Sequence, residues 1–210
     1  MARDFMTDPG QLRDLDGQQY IVLRPLGAVM REFDAVQDAA RQRLGDTVRY
    51  PGAAHVTLRG LYEPDRVDAV RDVVREWAAQ QHPIDLVFEA VDAFPAPWQI
   101  VIARLGRTPG LLHAYASLTE ALDRTDLRRI GELPLDDWTF HLSTVYAKTL
   151  TDEAWTALAD DTRHDYGAPP AETVTEVEFV TYSDAAEHRE VFSLGVSRPE
   201  QREGQIRRAH

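Results

Sequence analysis

Ala54-His55-Val56-Thr57-Leu58-Arg59 and Phe140-His141-Leu142-Ser143-Thr144-Val145-Tyr146 are the two stretches whose reading decides the fold. Each is an apolar run of strand character, and each puts a histidine two residues before a hydroxyl. Side chains at i and i+2 of a strand point to one face, so each run offers an imidazole and a hydroxyl to the same surface. None of His82, His113, His164 and His188 has a serine or threonine two residues on. Two such pairs brought together would grip a phosphate.

Working outward, residues 20–24 read as a strand stopped by Pro25, and residues 28–44 carry Val29, Phe33, Val36, Ala40 and Leu44 at helical spacing. After the first histidine strand (55–61), the segment 65–79 sets Val67, Val70, Val74 and Trp77 on one helical face, with Pro64 suited to the first turn. Segments 84–91 and 99–104 read as a hairpin with a long loop through Phe94-Pro95-Ala96-Pro97. A helix over 111–122 follows Pro109-Gly110, and the second histidine strand (139–146) leads to a short helix at 152–158 capped by Thr151. Segments 173–182 and 189–194 close the chain as a strand pair. This mixture predicts an α+β fold of two similar lobes, each contributing one histidine strand. Residues 1–18 and 197–210 carry turn-formers, charges and few apolar residues, so flexible tails are expected on either side of a single domain at 19–196.

With 210 residues, 43% of them hydrophobic, the chain suffices for one large domain or two small lobes sharing a core. No apolar run approaches the roughly eighteen residues that span a bilayer. Residues 1–19 lack the basic and then apolar stretches of a secretory signal, so a cytoplasmic protein that does not enter membranes is expected. The chain has no cysteine, which excludes thiol catalysis, disulfides and cysteine metal sites. A formal charge of −12 at pH 7, with Lys148 the sole lysine, argues against holding long nucleic acid by counterion release. A small nucleotide or the end of an RNA stays compatible with a locally basic cleft.

The doublet resembles the 2H phosphoesterase superfamily, in particular its 2′,5′ RNA ligase-like and cyclic phosphodiesterase branch. His55-Val56-Thr57-Leu58 looks like the first His-x-Thr/Ser motif and His141-Leu142-Ser143-Thr144 like the second, while Val177-Glu178-Phe179-Val180-Thr181-Tyr182-Ser183 looks like the terminal strand. The resemblance covers about residues 20–195 and departs at Thr144, where an apolar residue is usual, and at Ser143, in place of the commoner threonine. It implies two pseudo-symmetric lobes with antiparallel-rich sheets around a central cleft and helices outside. It also implies, without cofactor or metal, the opening of a 2′,3′-cyclic phosphate to a 2′-phosphate on a small nucleotide or an RNA 3′ end. His55 would give a proton to the leaving oxygen, His141 would take one from water, and Thr57 and Ser143 would hold the phosphate. A weak reverse 2′,5′ ligation and a monomeric state complete that expectation.

Opening a five-membered cyclic phosphate needs a base for the attacking water, an acid for the departing ribose oxygen and donors for the phosphoryl oxygens. Two histidines and two hydroxyls meet that need without metal, because an imidazole pair near one phosphate can rest with one ring neutral and one protonated. The residues alone do not say which ring is which. Arg59, at i+4 from His55, is a candidate to face the same cleft and add charge against phosphate, the competing reading being an edge arginine or surface ion pair. Tyr62, Trp98 and Tyr146 are candidates for base stacking, against core packing. No H-E-x-x-H or histidine–carboxylate cluster of ligand spacing appears, so no metal site is expected. Two further readings stay open: a non-catalytic nucleotide or RNA-end binding module with the same cleft, and a scaffold whose histidines are structural. ADP-ribose cyclic phosphate and 2′,5′-oligonucleotides suit the motif equally, since it reads only the phosphate.

Overall fold

The computed structural model, which describes residues 4–195, puts the two histidine runs in different sheets. In chain order the elements are α1 (Pro9–Asp14), β1 (Gln18–Leu23), α2 (Ala28–Leu44), β2 (Val56–Tyr62), α3 (Val67–Ala79), β3 (Ile84–Phe94), β4 (Ile100–Leu105), α4 (Pro109–Asp123), β5 (Arg129–Ile130), β6 (His141–Tyr146), α5 (Asp152–Thr162), β7 (His164–Asp165), β8 (Ala171–Val174), β9 (Glu176–Ser183) and β10 (Ala186–Ser193). The first sheet runs β10-β9-β1-β2-β5 and the second β6-β4-β3-β7, with β8 also paired to β3. Every pairing is antiparallel. Helices α2 and α5 pack on the second sheet, α3 on the first, and α4 on β3 of the second and β2 of the first. This is the expected α+β architecture of two antiparallel sheets with helices outside.

Local chemistry explains the helices. In α3, Val70, Val74, Trp77 and Ala78 recur at three- and four-residue spacing and are buried, which is the apolar stripe of a helix lying on a sheet. Thr108 caps α4 and Thr151 caps α5, each side chain accepting a hydrogen bond from a first-turn amide. Helix α2 has no capping side chain of its own. Glu172 of β8 replaces it, accepting from the Leu26, Gly27 and Val29 amides at 2.7–3.0 Å, where a carboxylate also meets the positive end of the helix dipole.

The main core fills the space between helices and sheets, with Phe33, Trp77, Phe88, Tyr115, Phe140 and Phe179 among its members. A second, smaller cluster lies apart from it and joins Phe5, Val22, Ala53, Val180 and Tyr182, with Met6, Leu12, Leu15 and Tyr20 packed around them. Phe5, Met6, Leu12 and Leu15 of this cluster fall within residues 1–18, the segment expected as a flexible tail, and here they pack against β1 and β9. Phe5 is only 2% exposed, and burying one such side chain stabilises by roughly 1.5–3 kcal/mol, so few apolar residues suffice to dock the segment. Asp8 caps α1 through the Gln11 amide at 2.9 Å. Residues 1–3 and 196–210, and with them the expected second tail, lie outside the described residues.

The closing strand also differs from its reading. The apolar pattern across 173–182 looks like one strand, but the chain breaks at Thr175: β8 joins the second sheet and β9 the first. Among the described residues no helix is long and apolar enough to cross a membrane.

Candidate active site

Strands β2 and β6 pack side by side, one from each sheet. The chain leading into β2 runs along β6: the Arg49 amide donates to the Tyr146 carbonyl at 3.0 Å, and the Tyr146 amide donates back at 2.8 Å. Gln37, buried in the middle of α2, donates its side-chain amide to the Pro51 carbonyl at 3.2 Å and to the Thr144 carbonyl at 3.0 Å. One side chain thus ties the backbone ahead of the first motif to the backbone of the second.

Each motif strand carries a β-bulge at the same place. Val22 pairs with Thr57 and Ile21 with Arg59, leaving Leu58 as the extra residue; Ile102 pairs with Ser143 and Val101 with Val145, leaving Thr144. An extra residue reverses the alternation of faces beyond it. The residue four past each histidine, Arg59 or Val145, therefore turns to the helix side, and the residue five past it turns to the cleft: Gly60 in one strand, Tyr146 in the other. Thr144 is fully buried and its hydroxyl donates to the Val101 carbonyl at 2.8 Å. That bond gives a polar residue a structural reason at a position where an apolar one was expected.

His55, Thr57, Ser143 and Tyr146 line one cavity of about 240 Å³, together with Tyr20 and Tyr182 from β1 and β9. His141 begins β6, half-buried, and its ring meets that of Phe94 edge-on at 4.8 Å. Its Nδ1 lies 2.8 Å from the Thr139 carbonyl, which assigns the proton to Nδ1 and leaves Nε2 as the basic nitrogen. The His55 ring packs against Phe5 at 4.4 Å, and its buried Nδ1 has no hydrogen-bond partner of ordinary geometry. Burial pushes His55 down to about 4; the Ala53 carbonyl opposes this, and the charges of His141 and Arg24 add to it. Burial also lowers His141, opposed by the Thr139 carbonyl. His141 is not among the residues lining the cavity. Tyr20 and Tyr146 are raised by burial, as is Tyr182, so all three phenols keep their protons near neutral pH, Tyr20 donating its own to Gln18 and Tyr182 to Glu187.

The family model of the 2′-5′ RNA ligase superfamily matches residues 28–186, a span holding both motifs. The chain belongs to the 2′-5′ RNA ligase superfamily. This superfamily is one of 2H phosphoesterases, so phosphodiesterase- or ligase-type chemistry is the class of activity. Among solved structures, TT0787 of Thermus thermophilus aligns with a TM-score of 0.64 at 15% identity, covering 85% of this chain and 98% of that one. Escherichia coli LigT complexed with NADP+ gives 0.55 at 16% identity, with coverages of 86% and 99%. LigT complexed with 3′-AMP gives 0.53 at 16% identity, with coverages of 86% and 100%. At such identities these likenesses concern the fold. None of the curated proteins compared matches the sequence.

Within this superfamily member, three of the expected binding residues stand away from the cleft. Arg59, turned aside by the bulge at Leu58, is 2% exposed. Its guanidinium stacks 3.4 Å from the Tyr115 ring centroid, bonds the Thr119 hydroxyl and pairs with Glu132 at 3.4 Å. Tyr62 lies at the far end of β2 under the Arg128 guanidinium, 4.4 Å away. Trp98 is 58% exposed, with the Lys148 ammonium 5.5 Å from its ring. Tyr146 alone of the three aromatic candidates lines the cavity.

Sequence reasoning missed Tyr20, Tyr182, Phe5 and Gln37. A signal for Tyr20 existed in Gly60, its strand partner: a Cβ there would sit 3.1 Å from Tyr20 Cε1, so the missing side chain makes room for the ring. Gln37 falls on the buried stripe of α2 with Val29, Phe33 and Ala40, and a glutamine on such a stripe marks a buried hydrogen-bonding task. Among the described residues no group of three or more histidine, cysteine or acidic side chains is arranged to hold a metal ion.

Proposed function

We propose that this protein is a phosphodiesterase that opens a 2′,3′-cyclic phosphate to a 2′-phosphate by acid–base catalysis from His55 and His141. The observation that carries this reading is the shared cavity: an imidazole and a hydroxyl from the first motif meet the hydroxyl of the second, across strands from different sheets. In the reaction, water attacks phosphorus and gives its proton to Nε2 of His141. The bond from phosphorus to the 3′ oxygen breaks, and that oxygen takes a proton from His55. Thr57 and Ser143 donate to the phosphoryl oxygens as charge builds on them. The crystal complexes of LigT with NADP+ and with 3′-AMP support a nucleotide as the ligand class. Under the same proposal the reverse step would join a 2′-phosphate to a hydroxyl only weakly, and the protein would act as a cytoplasmic monomer.

The test is incubation with 2′,3′-cyclic mononucleotides in EDTA. Wild-type protein is expected to release the 2′-phosphate, and His55→Ala or His141→Ala to lose about 10²–10⁴-fold in rate. Turnover unaffected by both substitutions overturns the mechanism. A non-catalytic binding module is the second reading, favoured by the burial of both imidazoles, which works against the protonated ring that the reaction needs. Nucleotide binding without turnover by wild type would select it.

A further inference from the structure

We propose that the segment Asp4–Leu15 is a wall of the cleft that sizes it for a single cyclic nucleotide and turns away longer RNA ends; this rests on the phosphodiesterase reading above. The family match begins at residue 28, so this segment lies outside the part of the chain that family membership explains. It nevertheless touches the first motif directly, with the Phe5 ring 4.4 Å from that of His55, while Met6 and Leu15 line the cavity.

The segment is fastened by specific chemistry. Both the Phe5 and Met6 amides donate to the Glu187 carboxylate, at 3.0–3.2 Å. The Gly52 amide donates to the Phe5 carbonyl at 3.1 Å, and Arg189 pairs with Asp4 at 3.0 Å. The Arg24 guanidinium stacks 3.8 Å from the Phe5 ring centroid. Gly52 is where the segment passes closest to the chain ahead of His55, and a Cβ there would collide with the Asp4 carbonyl oxygen.

Two consequences point to a small substrate. The cavity of about 240 Å³ is smaller than the roughly 300–1,000 Å³ of pockets that enclose drug-sized ligands, a size that suits one ribose cyclic phosphate and leaves a preceding nucleotide outside its walls. Among the described residues that line it there is no lysine or arginine. An RNA end brings a further phosphate with each nucleotide, and a lining without lysine or arginine in a protein of charge −12 offers little to neutralise them. A single cyclic phosphate asks only for the hydroxyls and imidazoles already present.

The test compares kcat/KM for adenosine 2′,3′-cyclic phosphate with that for a short oligoadenylate ending in the same group. Wild type is expected to favour the mononucleotide by about tenfold or more. Glu187→Gln weakens the clamp on the Phe5 and Met6 amides, and Gly52→Ala pushes the segment off independently. Both variants are expected to raise the oligonucleotide's kcat/KM about tenfold relative to the mononucleotide's. Equal use of both substrates by wild type, or an unmoved ratio in both variants while thermal melts show them folded, overturns the wall. Turnover of neither substrate by wild type overturns the phosphodiesterase reading instead, and the proposal with it.

Discussion

His55 is pushed down to about 4 and His141 is lowered too, in both cases chiefly by burial. The proposed reaction needs a proton donor all the same, and an anionic substrate would supply the means, since a negative charge beside an imidazole favours its protonated form. NMR titration of the free protein is expected to find His55 near 4, and saturating inorganic phosphate to raise it by about one unit or more. A free-protein value at or above 6.5 contradicts this. Because kcat/KM reports the free enzyme, its bell-shaped profile is expected to centre on the acid side of 6.5. Stability follows the same groups: a histidine whose folded pKa is depressed stabilises the fold above its unfolded value, and that stabilisation drains as pH falls from about 6.5 towards 4. For His55 the loss is on the order of 3 kcal/mol, readable by urea unfolding across that window. Arg59 gives the opposite kind of outcome. Removing it from its buried stack and ion pair is expected to cost about 3 kcal/mol of stability, with kcat/KM of the folded protein little changed. A large rise in KM for Arg59→Ala would return it to the phosphate site.

At the scale of elements, the two bulges decide which side chains reach the cleft, and Thr144 and Gln37 hold the one in β6. Thr144→Val leaves the Val101 carbonyl without its buried partner and is expected to cost about 1–3 kcal/mol, measured by denaturation. Gln37→Leu strands the Pro51 and Thr144 carbonyls and is expected to lower both stability, by about 2 kcal/mol, and kcat, because the two motif backbones are no longer tied. Stability loss with unchanged kcat would make Gln37 a core residue only. The same elements show what was legible in the sequence. His55 with Thr57 obeys simple alternation over two residues, and both line the cavity, as does Ser143 of the second motif. Arg59 lies past Leu58, where a bulge that no residue type announces reverses the faces, so alternation led to the wrong side. Strands β8 and β9 share one apolar pattern, and the change of sheet at Thr175 depends on partners distant in the chain. Residues 4–15 are mostly polar, and the docking of Phe5 rests on Glu187 and Gly52, which periodicity does not connect to it.

At the scale of the whole molecule, two antiparallel sheets with helices outside each lend one strand to a common cleft, and the segment ahead of β1 closes one side of it. The net charge is −12, and among the described residues that line the cavity there is no lysine or arginine, only one imidazole, hydroxyls and apolar side chains. The central claim is that rings carried by separate sheets act together on one phosphate. Groups that serve a single transition state lose rate non-additively, because once either is gone the other has little left to do. The direct measurement is therefore a double-mutant cycle on kcat/KM with a 2′,3′-cyclic mononucleotide, comparing wild type, His55→Ala, His141→Ala and the double variant. The double variant is expected to be about as slow as the slower single one. Losses that multiply, or a single variant that keeps wild-type turnover, would contradict a shared site.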